Sequence, residues 1–457
     1  MTAHVVGDNE PFTGATHVPG YFTVTPGPPL HGVVRIGGAK NAVLKQMAAC
    51  LLAEGTSVIE NVPEIDDVAC MADVLGAMGV KVRWRSKGTI EVDTTGDIVP
   101  EAPYELVERM RASVVVLGPL LARRGFARVS VPGGDDFGHR PIDMHLHGLA
   151  EMGAGLETVH GYVVGRVPRS AVPGAGASTA NEGGRLHGAR IVLDYPSHTV
   201  TDNLLMAATL ARGTTIIENA AREPEVADLA GFLTTMGAQI EGAGTSRIVV
   251  AGADELRPAM HRVIPDRVEA ATFLAAVGLA GGDVVLDGAR ADHMEMLVAK
   301  LAGMGLTVES VPEGLRARSE SRLRSVDVAT LPYPGVATDY KPFLVTMLTV
   351  ADGAGIVTEN LFPGRFRYVD ELRRMGADIR TEGHHAIVRG VLRLSGAPVR
   401  APDIRAGAAL VLAGLVAEGS TDVAGAHHID RGYEDFAGKL AGIGARVARV
   451  AGDAQPR

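Results

Sequence analysis

The sequence predicts an α/β protein of two domains, each built from three repeated α/β units, with a ligand cleft between the domains. Two observations predict it. At 457 residues the chain is too long for one ordinary core. It also repeats internally. One copy reads Leu51-Leu-Ala-Glu-Gly-Thr-Ser-Val-Ile-Glu-Asn61, then a polar stretch, then Ala72-Asp-Val-Leu-Gly-Ala-Met-Gly-Val80. Related copies occupy residues 206–238, 273–306, 347–377 and 410–445, with a fainter one at 120–154. Within a copy, an alanine-rich segment stopped by Gly predicts a helix, and alternating β-branched residues predict a half-buried strand. A second amphipathic helix follows, closing on a Met-Gly or Ile-Gly tag before another strand. Copies recur at roughly 70-residue spacing, too long for a solenoid, and six is an awkward number for an eight-unit barrel. Three units in each of two domains is the natural arrangement, and ligands favour the cleft between domains.

Composition narrows the class. With 46% hydrophobic and 21% charged residues the chain reads as a soluble globular protein. Aromatics are only 4%, so Ala, Val, Leu and Met must fill the cores. A net charge of −9 excludes a general nucleic-acid surface and confines any anion site to a local basic pocket. Cys50 and Cys70 are too few for a disulfide framework and lack metal-ligand spacing, which fits a reducing cytoplasm. No apolar run is long enough to span a membrane, and the start is neither basic nor apolar enough for a signal peptide. Residues 1–19 read as a loose tail.

The densest chemistry lies in Val131-Pro-Gly-Gly-Asp-Asp-Phe-Gly-His-Arg-Pro-Ile-Asp-Met-His145. Glycines there let backbone N–H groups approach a ligand. Arg140 offers a planar fork for phosphate or carboxylate, and Asp135 or Asp136 can donate a proton if burial or its neighbour raises its pKa. The histidine pairs His145/His147, His384/His385 and His427/His428 have neither the i,i+4 spacing nor the Cys/Asp company of a metal site, so no metal or cofactor is expected.

Several ordered motifs together resemble one family. They are Gly37-Gly-Ala-Lys-Asn41, Met110-Arg-Ala-Ser113, the loop above, Glu218-Asn-Ala-Ala-Arg-Glu-Pro-Glu225, Pro265-Asp-Arg267, Ala337-Thr-Asp339, Asp403-Ile-Arg405 and His428-Ile-Asp-Arg-Gly-Tyr433. From about Gly20 to Val450 the chain is similar to the enolpyruvyl transferases, in their nucleotide branch. The resemblance implies two inside-out α/β domains. Domain I would comprise residues 20–39 plus 265–457, and domain II residues 40–264, carrying the 131–141 loop. It implies transfer of the enolpyruvyl group of phosphoenolpyruvate to a uridine nucleotide, the 3-OH of UDP-N-acetylglucosamine, with phosphate release, as in peptidoglycan precursor synthesis. No cofactor, nucleic acid or membrane is implied, and the oligomeric state is left open.

The same resemblance assigns residues. Phosphoenolpyruvate, a phosphate and a carboxylate together, would be held by Lys40, Arg140 and Arg431, with Arg111, Arg405 and Lys439 nearby. Asp339 matches the proposed base, although a Thr-Asp pair before a helix would also suit a cap. Asp135 stands where many members carry the cysteine that protonates C3; with Lys40, Asp339 and Arg431 it completes the catalytic set. Without that thiol, resistance to the epoxide fosfomycin is expected. The nucleotide would meet Asn41, Arg140, Pro141, Ile142, Asp143, Met144, His145, Ser197, His198, Thr199, Asp339 and Leu361. Closure of the glycine-rich loop over phosphoenolpyruvate is expected to follow nucleotide binding.

Departures from the family pattern gather in the acceptor assignments. Ser197-His-Thr-Val-Thr-Asp-Asn203 replaces a glycine with Thr199, which resists φ > 0 and adds bulk, and introduces His198 as a donor. Ala337 stands where Pro is usual, Tyr340-Lys341 differ after the base, and residues 167–188 form a Gly/Ala/Ser-rich insertion. A second reading is therefore a paralogue acting on another uridine nucleotide, such as UMP, in nucleoside antibiotic synthesis. A third, an inactive nucleotide-binding regulator, conflicts with retention of Lys40, Asp339 and Arg431.

Overall fold

The structure, a computed structural model, describes residues 19–131, 142–168 and 184–452. The expected tail, the loop at 132–141 and most of the Gly/Ala/Ser-rich insertion lie outside the described residues. Two compact units emerge: residues 38–131, 142–168 and 184–264 form one, and residues 19–37 with 265–452 the other. Each has its own apolar core. No described helix is long and apolar enough to cross a membrane.

Six helices sit inside these cores: α1 (Lys40–Ala49), α2 (Leu117–Arg124), α3 (His198–Ala208), α4 (Arg267–Ala280), α5 (Lys341–Val350) and α6 (Ile404–Gly414). They are buried nearly all round, and α6 is buried at each of its 11 positions. A helix without a polar face belongs in an interior, and the Ala-rich sequences let neighbours approach closely: a Cβ on Gly118 of α2 would lie 2.4 Å from the Asn203 carbonyl oxygen of α3. The sheets lie outside. Lys81–Ser86 alternates exposed and half-buried residues until its last two, which are both exposed, as a strand with one wet face should. The fold is thus inside-out, as the resemblance implied.

Among the described residues, six four-stranded sheets share one plan. An edge strand pairs in parallel with the first strand of its repeat, and the remaining pairings are antiparallel. In one sheet Arg190–Val192 runs parallel to Thr214–Glu218, which pairs antiparallel with Arg247–Ala251, itself antiparallel to Gln239–Glu241. The faint sequence copy follows the same plan through Phe126–Ser130, Tyr162–Arg166 and Gly155–Val159. In the last repeat the inner strand comes from the other end of the chain: Gly20–Thr25 lies between Thr421–Ala424 and Arg446–Ala451. Met260–Arg262 likewise returns to pair with Thr56–Glu60 of the first repeat.

The repeated tag has a physical cause. Met78, Met152, Met236, Met304, Met375 and Ile443 are buried at 1% exposure or less. The glycine after each, from Gly79 to Gly444, has a φ between 88° and 111°. Each tag thus ends its helix with a left-handed residue and anchors that end in the core.

Candidate active site

In the unit formed by residues 38–264, the chemistry gathers at the N-terminal ends of α1 and α3. Lys40 is the first residue of α1 and 8% exposed; its Nζ lies 2.5 Å from Asp67 Oδ2. Gly38 lets the chain reach it: a Cβ there would fall 1.7 Å from the Asn61 carbonyl oxygen, itself set by a left-handed φ of 59°. Gly38→Ala is expected to destabilise the protein by about 2–4 kcal/mol and to raise the KM for phosphoenolpyruvate, because a clash with backbone cannot be relieved by a rotamer change. Urea denaturation with initial-rate kinetics checks this, and unchanged values of both would refute it.

His145 is buried on Asp143–Glu151 and held down to about 4 by burial and by Arg111, against a smaller opposing pull from Asp143. The Asn203 Oδ1 accepts from the Gly118 N–H at 2.8 Å, so its Nδ2 donates to His145 Nδ1 at 2.9 Å. The neutral imidazole therefore carries its proton on Nε2. Ser197 takes the cap position of α3 with extended backbone, and His198 and Thr199 open the helix.

In the other unit the centre is Asp339, in the tight turn Thr338–Tyr340 that leads into α5. Arg365 Nη1 donates to Asp339 Oδ1 at 2.7 Å and to Thr338 Oγ1 at 3.2 Å. Arg405 Nε lies 3.7 Å from the other carboxylate oxygen. Both guanidiniums are buried. Arg405 is oriented by Asp403, which caps α6 by accepting from the N–H groups of Arg405 and Ala406, both at 2.9 Å, and its guanidinium lies over the Tyr433 ring. Behind the turn, Lys341 and Glu359 are both fully buried and 2.8 Å apart. Burial pulls Lys341 down to about 8 despite Glu359. Glu359 also accepts from Thr330 and Thr338 hydroxyls at 2.7 Å and from the Leu361 and Phe362 N–H groups, so it shapes the segment that presents Arg365.

A common signature joins these centres. Lys40, His198, Arg267 and Lys341 are the first residues of their helices, and Arg405 is the second of α6. Arg111 opens the short helix that runs into α2. Cations oppose the dipole at a helix N-terminus. At α4 and α6 the first N–H groups are taken up by the capping carboxylates of Asp266 and Asp403, and at α5 Lys341 is paired with Glu359, so the charge is offset locally at these three starts.

The sequence matches the family model described as EPSP synthase (3-phosphoshikimate 1-carboxyvinyltransferase) over residues 24–440. The chain belongs to this enolpyruvyl transferase family. It is 50% identical over 429 residues to a UDP-N-acetylglucosamine 1-carboxyvinyltransferase of Anaeromyxobacter sp. (strain K), spanning 93% of this chain and 98% of that one. The protein of the same name from Nocardia farcinica is 47% identical over 436 residues, spanning 94% and 99%. Among solved structures, the enolpyruvyl transferase NikO from Streptomyces tendae superposes with a TM-score of 0.82 at 26% identity, covering 95% of this chain and all of that one. An EPSP synthase from Acinetobacter baumannii, at 19% identity and a TM-score of 0.72 over 94% of this chain and all of that one, shares the fold.

Within this enolpyruvyl transferase, Asp135, Arg140 and Pro141 lie outside the described residues. Asn41 is half-buried on α1, and its carbonyl accepts from Lys45 Nζ at 2.5 Å. Ile142 and Met144 are half-buried beside exposed Asp143. Leu361 and Arg431 are half-buried in the second unit, and Lys439 is paired with Glu269 at 2.6 Å. Two expectations change. Thr199 has no positive φ, because the segment has already entered α3 at His198, so only its bulk distinguishes it from glycine. Tyr340 and Lys341 are core residues rather than acceptor-facing ones, since Lys341 finds its counter-charge in buried Glu359. Asp339 does not cap α5. Sequence reasoning missed Arg365, Glu359 and Asp202. The repeat held a signal for one of them: Glu60-Asn61, Glu218-Asn219 and Glu359-Asn360 end equivalent strands.

Proposed function

We propose that this enzyme transfers the enolpyruvyl group of phosphoenolpyruvate to the 3-OH of UDP-N-acetylglucosamine. The acceptor oxygen bonds to C2 while its proton passes to Asp339, and C3 takes a proton from Asp135. The C–O bond to phosphate then breaks as C3 returns a proton, releasing inorganic phosphate and the enol ether. Lys40, Arg111, Arg140, Arg405 and Arg431 bind the phosphate and carboxylate of phosphoenolpyruvate. Lys439, tied to Glu269, supports that site rather than binding directly. The nucleotide lies along Asn41, the 140–145 segment with His145, the start of α3 and Leu361. The observation that carries this reading is identity of 46–50% across 93% of the chain to enzymes named for this activity. Phosphate release with UDP-N-acetylglucosamine, UMP and shikimate 3-phosphate as separate acceptors tests it; turnover on UMP alone would replace it with the paralogue reading, which His198 and Thr199 favour.

Asp135 offers no thiol to an epoxide. Burial pushes the Cys50 thiol up to about 12, and Cys70 is also buried, so neither substitutes for it. Fosfomycin is expected to leave the intact mass unchanged and to alkylate Asp135→Cys once; an adduct on the unaltered protein would refute this.

A further inference from the structure

The segment from Glu359 to Tyr368 carries Leu361 and Arg365 but contains neither strand nor helix. One buried ion pair fixes it at several points. Glu359 Oε1 accepts from the N–H groups of Leu361 and Phe362 at 2.8 and 3.1 Å, and Lys341 Nζ donates to the Arg365 carbonyl at 2.5 Å. The centre of the Phe366 ring lies 4.0 Å from the same ammonium. Glu359 Oε2 takes both Lys341 Nζ and the Thr338 hydroxyl. A hydroxyl has one proton, so donating it to Glu359 leaves Thr338 Oγ1 an acceptor for Arg365 Nη1, at 3.2 Å. Arg365 is thus held at its carbonyl by Lys341 and at its guanidinium by Thr338, and the same Nη1 holds Asp339. Apolar residues of the same size would fill the core about as stably, so stability does not account for the pair. What the pair supplies is a fixed place for Arg365.

We propose that Lys341 is a positioning residue for Asp339: with Glu359 it fixes Arg365 and Thr338, and through them the carboxylate that takes the acceptor proton. This rests on the enolpyruvyl-transfer reading, in which Asp339 is the base, and deepens it. The hold on Arg365 depends on charge, because a bond from an ammonium is stronger than one from a neutral amine. Burial pulls Lys341 down to about 8 against Glu359 and Asp403, with Arg365 adding to the pull. Tyr368, in the same surroundings, stays neutral, since burial pushes its hydroxyl well above the usual value. Below about pH 8 the ammonium keeps its proton and the hold is intact; as pH rises through that value the charge goes and the hold weakens. The alkaline side of the kcat profile therefore reports Lys341.

Initial rates from pH 6 to 9 test this for the full-length enzyme, Lys341→Gln and the double variant Lys341→Met/Glu359→Met, with UDP-N-acetylglucosamine and with UMP. Lys341→Gln is expected to lower kcat at pH 7 about tenfold, the size of one charge-assisted hydrogen bond. It should also abolish the fall of kcat above about pH 8, while the KM for phosphoenolpyruvate stays within about twofold. The double variant should regain most of the native Tm yet keep the low kcat and the flat alkaline side, which a merely structural pair would not do. A native kcat that stays level to pH 9, an alkaline fall that Lys341→Gln leaves unchanged, or a kcat that recovers with stability would overturn the proposal. Should Lys341→Gln fail to fold, the double variant gives the same two readouts. If neither nucleotide is turned over, the transfer reading falls, and crystal structures of the native enzyme and Lys341→Gln judge the positioning by itself. Loss of the 2.7 Å contact between Arg365 and Asp339 in the variant keeps the positioning role; the same contact in both structures overturns it.

Discussion

Asp339→Asn is expected to lower kcat by about 10²–10⁴-fold, the contribution of a positioned general base. Asparagine keeps an oxygen for Arg365, whose Nη1 meets Asp339 Oδ1 at 2.7 Å, so the turn at Thr338–Tyr340 should hold its shape. Lost is the carboxylate oxygen that lies 3.7 Å from Arg405 Nε, and with it the charge that under the proposed mechanism receives the acceptor proton. Neither KM should change by more than a few-fold, because removing a group that acts in the transition state lowers kcat and kcat/KM together. Phosphate release at saturating substrates measures the effect; a fall smaller than tenfold would take Asp339 out of the proton transfer.

Glu359→Gln is expected to cost about 3–5 kcal/mol, because it leaves the fully buried Lys341 without its counter-charge. If the unit that holds the pair, residues 19–37 with 265–452, unfolds as one cooperative body, that is a fall in Tm of roughly 6–20 °C. Replacing both residues by methionine should recover most of the loss, since the expense lies in the unpaired charge rather than in the absence of a pair. The acid limb supplies a sign. Burial alone would raise the Glu359 carboxyl, but the Lys341 ammonium and the Thr330 and Thr338 hydroxyls outweigh it and hold the group below its ordinary value. Its stabilisation is therefore present above the unfolded carboxyl's pKa, about 4.3, and lost as pH falls through the lower folded value. The gap between native and Glu359→Gln stability should narrow in acid. Urea denaturation at pH 7 and pH 3.5 checks both statements; an undiminished gap in acid would assign the loss to packing.

Elements with local causes were legible. The six tags from Met78-Gly79 to Ile443-Gly444 register the repeat because a helix end needs a left-handed residue and a buried anchor next to it. Lys40 and Asp339 were picked out by the motifs that carry the family resemblance, Gly37-Gly-Ala-Lys-Asn41 and Ala337-Thr-Asp339. Arg365 was not legible: 26 residues separate it from Asp339, and what joins them is the buried platform of Lys341 and Glu359. Lys341 itself read as one of the departures in the acceptor assignments, because nothing in its neighbours along the chain reveals its burial against Glu359.

The chain by itself determined the six α/β units, because helix period, strand alternation and glycine position act over a few residues, and its ordered motifs carried the resemblance to the family. Tertiary structure alone decided which charges are partnered. It sends Gly20–Thr25 into the last repeat, hides Lys341 against Glu359, and sets Lys45 and His198 about Asp202. Burial sets the energy of a charge, and burial belongs to the packed chain rather than to any stretch of it.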